Sequence, residues 1–144
     1  MKKKLLALFA YAFVMGYLET SVAIYLRALY HPAGFAVETG LKFTSQIYQI
    51  EIFREAATIV MLLAVAYLAF EKYKDKIITF LWIFAIWDLT YYLFLKLILN
   101  WPPSLKTLDV LFLIPVPWVA PVWFPIAVST VTLLATTYLL KKEV

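Results

Sequence analysis

Glu51-Ile-Phe-Arg-Glu55 sets two carboxylates one helical turn apart, with an arginine between them, at the head of an otherwise apolar stretch. The i, i+4 spacing puts Glu51 and Glu55 on one helix face, and Thr58 continues that face. An ionisable side chain at membrane depth costs on the order of a few kcal/mol, so it is expected to face a partner, a cavity or a ligand. The other apolar stretches add Glu19, Arg27, Asp88 and Lys96, with Tyr91 and Tyr92 beside Asp88 and Asp109 further on. Desolvated carboxylates can exchange protons, and arginine or lysine can hold an anionic group. The candidate pocket is therefore Glu19, Arg27, Glu51, Arg54, Glu55, Asp88, Tyr91, Tyr92, Lys96 and Asp109.

The elements that carry these residues are written for lipid. The 144-residue chain is 65% hydrophobic and 18% aromatic, which excludes an ordinary soluble domain. Four apolar stretches, about 5–29, 46–70, 77–99 and 119–140, are each long enough to cross a hydrocarbon core of ~30 Å. The expectation is an all-α, polytopic membrane protein. It is a four-transmembrane-helix bundle in a single membrane domain, 1–144, with a short interfacial or re-entrant segment at about 104–118. No cysteine is present, which excludes disulfides, thiolate metal sites and cysteine nucleophiles. With three glycines there is no phosphate-cradling loop, and no strand pattern or repeat stands out. The net charge of +4 is no nucleic-acid signal, because the bases sit at the ends of the apolar stretches.

Met1-Lys-Lys-Lys opens like a signal peptide, and Ala10-Tyr-Ala12 resembles a cleavage site. The apolar run before that site is short and continues well beyond it, so the expectation is an uncleaved first span. Glu71 to Lys76 forms a charged turn, and Asn100-Trp-Pro-Pro103 stops the third helix. Ser104 is placed to cap a short helix carrying Lys106 and Asp109. The chain then enters an apolar run that Pro115 and Pro117 break, too short to span. Lys2, Lys3, Lys4, Lys72, Lys74, Lys76, Lys141 and Lys142 fall on one side, against Lys42 and Lys106 on the other. The basic flanks put both termini in the cytoplasm and the chain in the inner (plasma) membrane.

A rise of 1.5 Å per residue then gives each group a height above the cytoplasmic end of its span. Glu19 falls at ~21 Å, Glu55 at ~22 Å and Asp88 at ~17 Å, with Ser129 and Thr130 at ~15–17 Å. Glu51 and Lys96 fall at ~28 Å and Arg27 at ~33 Å. The polar groups collect in the outer half, which implies an outward-opening cavity lined by the first three spans, with the proline-broken segment as its cover.

Four uses compete for such a cluster. One is a salt-bridge scaffold, in which Arg27, Arg54 and Lys96 balance Glu19, Glu51, Glu55 and Asp88. Another is a carboxylate metal site of Glu19, Glu55 and Asp88. These are similar in kind to the carboxylates that project into four-helix di-iron and di-manganese bundles. Those bundles also use paired Glu-x-x-His motifs, whereas this chain has one histidine, His31, and Arg54 would repel a metal. A third is binding of a proton, an anionic solute or a lipid head group. The last is an accessory subunit of a larger membrane complex; separately, a permeation path would require a homo-oligomer. Acid–base catalysis by Glu19, Glu55, Asp88 and Tyr92 is conceivable, but no motif names a reaction or a cofactor. Ligand binding in the pocket is the reading the sequence favours.

Overall fold

The computed structural model describes residues 1–142; Glu143 and Val144, the end of the expected domain, lie outside the described residues. The fold is predominantly helical. Its helices α1 (Lys2–Tyr30), α2 (Ser45–Ala69), α3 (Tyr73–Leu99) and α4 (Trp123–Lys142) are each long and apolar enough to cross a membrane.

Helix α3 is the centre, packing against α1, α2 and α4 in turn. Its buried residues, among them Ile83, Ala85, Trp87, Thr90 and Leu95, face several directions, as a central helix requires. The closest approach is α1 on α3. A Cβ at Gly16 would lie 2.6 Å from Thr90 Cβ and 2.9 Å from the Trp87 carbonyl, so only glycine fits this crossing. One turn on, the Thr20 hydroxyl donates to the Gly16 carbonyl at 3.0 Å and to the Tyr91 carbonyl at 3.1 Å.

The end of the molecule that carries the N-terminus and the α2–α3 turn is an apolar zipper of Leu8, Ala12, Met15, Leu62, Ala66, Ile83 and Ile86. Few polar groups enter it. Lys4 Nζ donates to the Ala69 carbonyl at 2.6 Å, closing α1 onto the last turn of α2. Trp82 Nε1 donates to Thr137 Oγ1 at 3.0 Å, tying α3 to α4.

The opposite end is irregular. Asn100 takes the left-handed conformation that ends α3 (φ 52°, ψ 34°), and its N–H closes on the Lys96 carbonyl. Pro102 and Pro103 follow, so the helix has no way to resume. Here the structure corrects the expectation of an all-α chain. Instead of capping a short helix, Ser104 starts a turn, with Thr107 N–H donating to its carbonyl. Two strands follow, β1 (Leu108–Phe112) and β2 (Trp118–Pro121), paired antiparallel with Asp109 opposite Ala120 and Val110 opposite Val119. The physical reason lies in the sequence between and within them. Pro115 and Pro117 forbid a helix, while Val110, Phe112, Trp118 and Val119 suit a pleated pair. Because Trp118–Pro121 are strand, α4 begins at Trp123 rather than near Val119.

Candidate functional site

Between α1, α2, α3, the start of α4 and the hairpin lies a cavity of about 270 Å³. Nine of the ten residues singled out from the sequence line it: Glu19, Arg27, Glu51, Arg54, Glu55, Asp88, Tyr91, Tyr92 and Asp109. Lys96 does not. Its Nζ turns to the Pro102 carbonyl at 3.0 Å, and it borders a separate cleft beneath Pro102 and Pro103.

The two arginines have different settings. Arg54 is clamped between two carboxylates: Nε and Nη2 fork onto Glu51 at 2.6–3.0 Å, and Nη1 reaches Glu19 Oε2 at 2.7 Å. This clamp joins α2 to α1 and neutralises Glu51, which is 6% exposed. Arg27 lies on the rings of Phe35 and Trp101, 4.4 and 4.1 Å from their centroids. Its Nη2 is 3.9 Å from Asp109 Oδ1, a loose pair in which the Asp109 carboxylate also accepts from Tyr92 Oη at 2.9 Å.

Glu55 and Asp88 are different again. Both oxygens of Glu55 accept from the Leu113 N–H, at 2.9 and 3.2 Å, so α2 holds the turn of the hairpin through a carboxylate. Asp88 Oδ2 accepts from Ser129 Oγ at 2.6 Å, which fixes α4 against α3. Neither has an ion-pair partner among the described residues. With each carboxylate turned to its own partner, no three acidic or histidine side chains among the described residues form a metal-ligand set. The grouping of Glu19, Glu55 and Asp88 around one ion is therefore not found.

Several lining residues went unremarked as site residues in the sequence. Phe84 and Trp87 sit on α3 one turn below and one residue before Asp88, and Phe112 and Trp118 come from the hairpin. Phe84 contacts Trp87 and stacks on Phe112, which meets Trp118 edge to face, with centroids 5.3, 6.2 and 6.5 Å apart. The i−4 spacing of Phe84 from Asp88 was the available signal. Among the described residues, the buried Trp87 indole N–H has no acceptor and both buried ring nitrogens of His31 have no partner. His31, which begins the α1–α2 loop, packs edge-on against Phe35 and Phe43. Burial first, then Lys42 and Arg27, lowers its pKa from the ordinary 6.5, so it is neutral at pH 7.

No protein family, curated protein or solved structure matches the chain. The functional reading therefore rests on this geometry alone.

Trp118, Phe124 and Val128 line the cavity yet are 52, 46 and 50% exposed, so they form an open rim on the hairpin and α4 side. The chamber has an apolar, aromatic doorway and an acidic interior.

Proposed function

We propose that the chain is a multi-pass protein of the inner (plasma) membrane, with both termini cytoplasmic, that binds a small polar or ionic ligand in the cavity near the opposite face. The hairpin is the cover of that site and lies at the membrane interface. The lipid bilayer is the first partner, since large apolar side chains such as Leu6, Phe53, Leu68, Val131 and Leu134 face outward from α1, α2 and α4.

One observation carries the reading. Five carboxylates and two guanidinium groups line the cavity, a formal excess of three negative charges. A structural salt-bridge network accounts for Arg54 with Glu51 and Glu19, because each charge there has its partner. It does not extend to Glu55 and Asp88, whose partners are the Leu113 N–H and Ser129 Oγ rather than a cation. The same excess argues against an anionic solute or lipid phosphate: both arginines are occupied and Lys96 points away. A proton or a cationic, hydrogen-bond-donating ligand suits the site.

Native mass spectrometry of the protein purified in mild detergent tests this. The expected result is a bound small molecule on the wild type that is lost in the Glu55→Gln, Asp88→Asn double variant while the helical content is unchanged. A wild type that carries nothing, with a double variant that fails to fold, would instead identify the carboxylates as scaffold.

A further inference from the structure

We infer that the cavity takes a small organic ammonium compound, its cationic nitrogen drawn to the carboxylates of Glu55 and Asp88 and its apolar body against the aromatic wall. The inference rests on the ligand-binding reading above and names the chemical class of the ligand.

Three independent features meet at this place. The first is charge: Asp88 accepts from Ser129 Oγ and Glu55 from backbone N–H groups of the hairpin turn, Leu113 and Ile114, and among the described residues neither carboxylate has an ion-pair partner. A carboxylate removed from bulk water without a cation is unfavourable, so an ammonium beside one of them replaces lost hydration. The second is the wall of Phe84, Trp87, Phe112 and Trp118, whose ring faces attract a cation and cover an apolar substituent. A metal ion or bare proton makes no use of such a wall. The third is the Trp87 indole N–H, on a side chain that is 6% exposed, lines the cavity and has no acceptor. A buried donor without an acceptor is costly, and a ligand oxygen beside the ammonium would satisfy it.

Size and access agree. A volume of about 270 Å³ lies just under the ~300–1,000 Å³ usual for drug-sized ligands, so the guest is small. The half-exposed rim of Trp118, Phe124 and Val128 lets an amphiphilic amine enter with its nitrogen leading and leaves its apolar body against the rings. Ammonium groups carry their charge in water and shed it on crossing lipid, so the amine also has a route to the site.

The test uses probes that share a phenyl body and differ in the head: 2-phenylethylamine, 2-amino-1-phenylethanol, 2-phenylethanol and 3-phenylpropanoate. Each is titrated into the wild type in mild detergent at neutral pH, with binding read by intrinsic tryptophan fluorescence and checked by a shift in melting temperature. The two amines are expected to bind saturably and the alcohol and carboxylate at least ~10-fold more weakly. The hydroxyl of the amino alcohol is expected to tighten binding several-fold, and Trp87→Phe to abolish that difference alone. Asp88→Asn and Glu55→Gln are each expected to weaken the amines at least ~10-fold, and Lys96→Gln to leave them unchanged. Preference for the carboxylate, or equal binding of amine and alcohol, overturns the ammonium class. If no amine binds while mass spectrometry still finds a bound molecule, the class fails and ligand binding stands; if both are blank, both fail.

Discussion

The two ends of this four-helix fold solve different problems with one central helix. At the end that carries the N-terminus, α3 meets its neighbours through Ile83 and Ile86 against Leu8, Ala12, Leu62 and Ala66, with few polar groups to satisfy. At the hairpin end the same helix presents Asp88, Tyr91 and Tyr92 to a chamber, and the neighbours answer with carboxylates, guanidiniums and backbone N–H groups. The first end interlocks over an apolar core and carries only an apolar groove of about 580 Å³ between α2 and α3, while the second lines its cavity with charge and holds two carboxylates that have no ion-pair partner among the described residues. Stability is concentrated where the side chains interlock. The charged end trades apolar interlocking for a polar chamber.

Arg54→Met should break this division most severely. It strips Glu51 and Glu19 of their cation, and loss of one partner from a buried ion pair costs roughly 3–5 kcal/mol. Denaturation in mild detergent should show the loss, and a variant as stable as the wild type would dissolve the clamp as a structural element. Leu62→Ala, at the other end, should cost ~2–4 kcal/mol through lost packing while leaving ligand affinity unchanged, because Leu62 is fully buried and does not itself line the chamber. Affinity that fell with stability would mean the two ends are not separable. Gly16→Ala forces a methyl onto Thr90 and should cost ~1–3 kcal/mol, read as a lower melting temperature. Because Gly16 packs beside Trp87, it should also disturb the chamber, unlike Leu62→Ala.

The smallest effect concerns pH. Burial favours neutral His31 in the fold, so the unfolded chain binds the extra proton below its ordinary value of 6.5. Stability is therefore fully present above that value and falls as pH drops through it, with Lys42 and Arg27 adding to the repulsion. Comparing melting temperatures at about pH 7.5 and about pH 5.5, the drop should be slightly smaller in His31→Phe than in the wild type. Equal drops would show that His31 does not contribute.

Much of the helical framework was legible because hydropathy and length are enough to mark four long apolar helices. The clustering of charges was legible too, since rise per residue alone placed Glu19, Glu55 and Asp88 near one level. The hairpin was not. Strands of five and four residues inside an apolar run carry no period, and Pro115 and Pro117 say only that a helix stops. Lys96 was placed in the pocket by its helical spacing from Tyr92, and a backbone acceptor at Pro102 drew it away. The aromatic wall was hidden because Phe112 and Trp118 join Phe84 only through the hairpin fold, although Phe84 and Trp87 flanked Asp88 in plain sight.

The most direct test of the central claim, that Glu55 and Asp88 serve a ligand rather than the fold, is thermal unfolding of ligand-free Glu55→Gln, Asp88→Asn protein beside the wild type. The amides keep an acceptor for Leu113 N–H and Ser129 Oγ but remove both charges. The account predicts an apparent Tm equal to or above that of the wild type, since two carboxylates without cations are no longer held in the chamber. A clear fall in Tm would contradict it and return the carboxylates to a structural role.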